Sequence, residues 1–224
     1  LPASYHTAKT PVTAIFGGLL TKVGVYGLIR FYMLLFPSSW LMLRGLLLGL
    51  AALTMVVGVL GAVAQSDIKR LLSFHVISQI GYLLMGLGLG SPLAMATTLY
   101  FMIHIVLVKT SLFLVGSLAE QATGTTDLYA MGGLLRQRPR LAALFLVAAL
   151  SLAGVPPLSG FYAKFGLVMA GIRLQEAGVV AVALGVSMLT LFSMTKIWTQ
   201  AFMKEAPAGL TLRPIPRPLS VAAA

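Results

Sequence analysis

Residues 141–173 read LAALFLVAALSLAGVPPLSGFYAKFGLVMAGIR. The run is apolar almost throughout and long enough to cross a bilayer, yet it is interrupted near its middle. Pro156 and Pro157 remove two backbone donors and clash with the preceding turn, so no continuous α-helix passes through them. Gly154 and Gly160 flank the interruption and permit unusual dihedrals. Lys164 follows four residues after Gly160, embedded in apolar sequence. Irregular backbone at membrane depth persists only where protein or a wet cavity satisfies it. An ionisable side chain inside a membrane span marks a functional site by default. Break and lysine together read as part of an ion path.

The composition agrees. The chain has 224 residues, 58% hydrophobic and 9% charged, whereas soluble domains carry about 25% charge. It reads as an all-α polytopic membrane protein. The net charge of +11 is then a topology signal, and no alternation of basic and aromatic residues suggests a nucleic-acid groove. There is no cysteine, which excludes disulfides and thiolate chemistry. His6, His75 and His104 are dispersed and show no metal-ligand spacing. No glycine-rich run has phosphate-loop spacing, and no catalytic triad suggests itself. The chain opens on leucine without a signal peptide and is expected to be a piece of a longer protein.

Outward from the broken segment, six passes are expected: about 13–36, 45–64, 70–90, 93–117, 141–173 broken at 155–160, and 178–203. Residues 1–204 form the membrane domain and 205–224 a Pro-rich basic connector. Trp40 reads as an interfacial anchor, and Ser66 or Asp67 as the cap of the third helix. Gly86 and Gly90 form a small-xxx-small pair. The longest loop is expected at 118–140. Counting the broken segment as one crossing puts Lys9, Lys69, Arg70, Arg136, Arg138, Arg140, Lys204, Arg213 and Arg217 on one side, against Arg44 and Arg173 on the other. Two crossings would weaken this bias. One discontinuous crossing with the basic side in the cytoplasm therefore fits best, and Lys69 and Arg70 read as topology charges.

Lys22, Lys109 and Lys164 lie furthest from any interface. Lys22 is about nine residues into its span, roughly 14 Å deep at 1.5 Å per residue. Each such amine costs about 2.5–3.5 kcal/mol at mid-helix on insertion scales. The plain alternative is snorkelling or a fixed ion pair. Asp67, Glu120, Asp127, Glu176 and Glu205 are all placed in loops or at span ends, so no carboxylate of this chain is expected at matching depth. Proton carriage is the reading that uses the amines. On the fourth span Tyr100, His104 and Ser111 fall on one stripe. Lys109 is five residues past His104, about 140° around a regular helix. His104 reads equally as relay or interhelical hydrogen-bonding group. His75, with Gln79 one turn on, reads first as structural and second as a further relay candidate.

Four stretches also carry a resemblance: TPVTAIFGGLLTKVGVYGLIR (10–30), SDIKRLLSFHVISQIGYLLMGL (66–87), YFMIHIVLVKTSLFLVG (100–116) and GVPPLSGFYAKFGLV (154–168). In this order they resemble the antiporter-like membrane subunits shared by Mrp-type multisubunit sodium/proton antiporters and respiratory complex I. SFHVISQIGY and HIVLVKT look nearest to the D-type Mrp subunits. The resemblance implies a fourteen-helix subunit of two inverted five-helix repeats, of which this chain would supply helices eight to thirteen. It implies that Lys22 joins two half-channels, that His104 and Lys109 form a central relay and that Lys164 lies near the exit. A glutamate on helix five and a lysine on helix seven would lie upstream. The implied protein is a secondary transporter subunit without cofactor or metal, in a bacterial inner membrane, moving protons and sodium beside partner subunits. A proton-pumping subunit of complex I or a related hydrogenase is the alternative.

Overall fold

The computed structural model describes residues 15–35 and 40–207. Residues 1–14, 36–39 and 208–224 lie outside the described residues, and with them His6, Lys9, Arg213, Arg217 and most of the expected connector. The described chain is helical. A π-helical turn, Phe16–Leu20, leads into α1 (Thr21–Leu35). There follow α2 (Trp40–Ala64), α3 (Ile68–Leu89), α4 (Pro92–Thr123), a single turn α5 (Leu134–Gln137), α6 (Pro139–Ala153), α7 (Ser159–Arg173) and α8 (Ala177–Ile197). A second π-helical turn, Trp198–Met203, closes the last helix.

Among the described residues, four helical stretches are long and apolar enough to cross a membrane: Leu43–Ala64, Ile68–Leu89, Pro92–Thr123 and Ala177–Met203. The other two expected crossings are the first, described over 15–35, and the broken pair α6 and α7, each of 15 residues.

The helix ends follow capping chemistry. Asp67, rather than Ser66, accepts from Arg70 N at 2.8 Å and starts α3. Ser91 caps α4 ahead of Pro92. Gly90 and Gly124 take left-handed conformations at φ 60° and 77° where α3 and α4 stop. Gly90 is thus a cap, and of the expected small-residue pair only Gly86 serves close packing. A Cβ there would strike Thr98 of α4.

The expected loop 118–140 is shorter than read. α4 continues to Thr123 because Leu118, Ala119 and Ala122 are buried against Leu128 and Met131. Residues 124–133 are sewn onto the start of α3: Ile68 N donates to Thr126 O (3.0 Å) and Leu128 N to Ser66 O (2.9 Å). Lys196 donates to Val63 O (3.1 Å) and Gln65 O (2.8 Å), capping the end of α2. Lys69 is no free topology charge. It is buried and paired with Glu120 at 2.6 Å.

Among the described residues the interior has two apolar clusters. One includes Leu72, Val76, Leu112, Leu152 and Met194, with Phe145 stacked on Phe202. The other includes Tyr82, Leu83, Ile105, Ala163 and Val186. Each long helix passes from one cluster to the other. In the crossing zone α3 carries Gln79, α4 carries Lys109, α8 carries Thr190 and Ser193, and the α6–α7 break lies between Leu152 and Ala163. A polar layer therefore divides the apolar core at the depth of the break.

Candidate functional site

The break spans 154–158, slightly earlier than the expected 155–160. Gly154 ends α6 at φ 89°, so its glycine meets a real backbone demand. Pro156 and Pro157 lie in the connecting turn. Gly160 differs from expectation, because it is helical, in the first turn of α7. It is small for a contact reason: a Cβ there would run into Ser151 O and come within 2.8 Å of His104 Nε2.

Lys164, one turn further, reaches back across the break. Its Nζ donates to Ala153 O at 3.1 Å, meeting a carbonyl that the end of α6 leaves without a helical partner. The same Nζ lies 4.9 Å from the centre of the Tyr82 ring. Tyr82 in turn donates to Ala183 O and contacts Ser187 Oγ at 2.8 Å.

His104 is fastened to the other end of the break. Its Nδ1 is 2.9 Å from Ser159 Oγ, and Ser159 Oγ is 3.3 Å from Ser151 Oγ. The ring stacks on Phe101, centroids 6.0 Å apart. A cleft of about 430 Å³ between α4 and α6 reaches Ser151 and Ser159 from outside. Ser111 lines that cleft. Tyr100 does not join the stripe expected for it, since it faces outward and is 45% exposed.

Lys109 is wholly buried and donates to Leu72 O of α3 at 3.2 Å. α4 is regular through this region, so His104 and Lys109 point to different neighbours, as their spacing requires. Lys22, at the start of α1, is buried beside Met102, Ile103 and Val106 of α4. It donates to Gly17 O (2.5 Å), within the wide π-helical turn, a distortion common at functional sites. Gly17 lies against Phe113 and Gly18 against Thr110, which brings the π-helical turn beside Lys109. A cleft of about 210 Å³ opens on Lys22.

His75 is fully buried, with Nε2 2.6 Å from Ser193 Oγ of α8. Gln79 is fully buried too. Its two amide atoms and His75 Nδ1 have no protein hydrogen-bond partner among the described residues. Buried polar groups of this kind are met by ordered water.

Three amines thus sit in the polar layer, each held by a main-chain carbonyl. Among the described residues none of them forms an ion pair, and the pairs present are Arg44–Glu176, Lys69–Glu120 and Arg136–Glu205. Lys109 feels the charges of both Lys22 and Lys164, and Lys164 acts on His75 and His104. No metal-binding cluster occurs among the described residues. The sequence reading missed Tyr82, Ser151, Ser159 and Ser193. A signal existed for the last: Ser187, Thr190 and Ser193 recur at three-residue spacing in an otherwise apolar helix.

Comparison with known proteins addresses the family and the fold. Residues 1–193 match the family model described as NADH:quinone oxidoreductase/Mrp antiporter, transmembrane. The D-type sodium/proton antiporter subunit of Alkalihalophilus pseudofirmus is 50% identical over 205 residues, which is 92% of this chain and 42% of that protein. The chain therefore spans well under half the length of that relative. A chain of the Mrp complex from Dietzia sp. DQ12-45-1b superposes with a TM-score of 0.91 at 37% identity, covering 100% of this chain and 42% of the other. A chain of the membrane-bound sulfane sulfur reductase, an archaeal respiratory membrane complex, superposes with a TM-score of 0.93 at 31% identity, covering 99% and 38%. With its match over residues 1–193 and its discontinuous helix pair, the chain belongs to the NADH:quinone oxidoreductase/Mrp antiporter family of transmembrane proteins.

Proposed function

We propose that this chain is part of a D-type subunit of a multisubunit sodium/proton antiporter in a bacterial inner membrane. It crosses six times, with α6 and α7 as one broken crossing. It supplies helices eight to thirteen of a fourteen-helix inverted-repeat fold, with residues 1–204 in the membrane and 205–224 as a connector. Its task is proton carriage along the polar layer, by way of Lys22, Lys109, His104 and Lys164. Each group takes a proton only as its neighbour's charge leaves, because like charges this close titrate together. Coupling to sodium falls to partner subunits, since the described residues hold no oxygen cage for a hard cation. The chain is a transporter part rather than an enzyme and binds no redox cofactor.

One observation carries the reading: three buried amines, each bonded to a backbone carbonyl and without an ion-pair partner among the described residues, share one layer. Fixed counter-ions would make them structural. Their lack among these residues supports mobile protons. The 50% identity to a sodium/proton antiporter subunit favours this over a respiratory proton pump. Everted vesicles carrying the whole complex test the choice. Sodium-driven pH change, indifferent to NADH, is expected. A gradient that needs NADH and ignores sodium would support the respiratory alternative.

A further inference from the structure

α8 contributes a residue that the relay above does not include. Ser193 Oγ makes two contacts: one to Thr190 O at 2.9 Å and one to His75 Nε2 at 2.6 Å. A serine hydroxyl has one hydrogen. Thr190 O has none, so that contact is a bond only if Ser193 donates to it. The hydroxyl then has only lone pairs left for the ring, and His75 Nε2 must carry the hydrogen. In the neutral ring Nδ1 is therefore bare, an acceptor. The reverse assignment would leave two oxygens facing each other at 2.9 Å with no hydrogen between them.

The bare nitrogen has no protein partner among the described residues, though the ring is wholly buried. One turn along α3, Gln79 is likewise buried with both amide atoms unpaired by protein. Gln79 lies at the crossing from one apolar cluster to the other, and His75 lies one turn toward the first cluster, beside Leu72 and Val76. The titratable groups that act on His75 are Lys109 on α4 and Lys164 on α7. His104 is committed elsewhere, to Ser159 at the break.

We infer that Ser193 holds His75 in the Nε2–H tautomer so that Nδ1 is a proton acceptor between Lys109 and Lys164, with Gln79 orienting the water that joins them. This rests on the proton-carrying reading above. In the step, the Lys109 ammonium passes a proton through water to Nδ1, forming an imidazolium. The imidazolium passes a proton through water to the Lys164 amine. Lys109 ends neutral, Lys164 charged and His75 neutral again. Ser193 is a positioning residue; it exchanges no proton itself.

The test uses the whole antiporter complex, with proton transport measured in everted vesicles and assembly checked on membranes. His75→Phe is expected to slow transport about a hundredfold. Ser193→Ala frees the ring to adopt the other tautomer and is expected to cost about tenfold, the lower end of the loss seen when the partner that fixes a histidine's tautomer is removed. Ser193→Thr keeps the hydroxyl and is expected to stay within about twofold of the parent, a margin small beside the loss from removing the orienting group. Nitrogen-15 spectra of histidine-labelled complex give a readout that a packing role would not move. The resonance pair absent from His75→Phe should report protonated Nε2 and bare Nδ1 in the parent, and mixed tautomers in Ser193→Ala. Parental transport in Ser193→Ala, or protonated Nδ1 in the parent, overturns the inference. Lys164→Ala, run alongside, separates the two claims. If it abolishes transport while Ser193→Ala does not, only this inference falls. If neither matters, the proton-carrying reading falls with it.

Discussion

Lys164 Nζ and Ala153 O, eleven residues apart in sequence, meet at 3.1 Å across the break between α6 and α7. The amine thereby closes the end of one half-helix from inside the other. A cation near a helix C-terminus is favoured by the dipole, and the carbonyl loses a place for water. The residue offered as a proton carrier also holds the broken crossing together, so its two roles should separate on substitution.

Lys164→Ala leaves Ala153 O buried without its donor. The expected cost is about 1–3 kcal/mol of stability, read as a lower melting temperature of the purified complex. Lys164→Arg should recover most of this stability by donating to the same carbonyl. It should not recover transport, because a guanidinium does not release its proton.

Gly160→Ala puts a methyl group onto Ser151 O and against His104. The two half-helices must move apart, at an expected cost of about 1–3 kcal/mol. Lower yield of assembled complex and a lower melting temperature would measure it. An unchanged melt would mean that the approach of α7 to α6 is looser than described.

Lys69 and Glu120 pair at 2.6 Å where α3 starts and α4 ends. Glu120→Gln leaves a mostly buried ammonium without its counter-charge. The expected loss is about 2 kcal/mol, below the cost of a fully buried pair because Glu120 is partly wet. Joining it to Lys69→Met should restore part of the loss, and a double-mutant cycle on melting temperature measures the coupling.

Lys196 ties α8 to Val63 O and Gln65 O, beside the segment 124–133. Lys196→Met should loosen that corner without touching the polar layer. Amide exchange over 124–133 is expected to rise about tenfold, a local opening easier by about 1.4 kcal/mol, with proton transport unchanged.

The parts legible in the sequence were those with local causes. Two prolines and a glycine announce a helix break wherever they sit, and Asp67 announces a cap. Three lysines in apolar runs announce an expensive layer. What stayed hidden depended on partners that sequence does not spell out. The acceptors of Lys22, Lys109 and Lys164 are the carbonyls of Gly17, Leu72 and Ala153, and every residue has a carbonyl. Residues 118–123 read as loop because Glu120 and Gln121 are polar. They are helical because Leu118, Ala119 and Ala122 pack under the following segment and Glu120 finds Lys69. Gly160 read as a conformational glycine, whereas only the packed α6–α7 geometry reveals it as a contact glycine.

The central claim is that the buried amines carry protons. Lys22→Ala and Lys164→Ala, each built into the full antiporter complex and compared in everted vesicles by the rate of sodium-driven pH change, test it most directly. The account predicts assembled complexes whose transport falls at least about a hundredfold for each variant. Parental rates in both variants would contradict it.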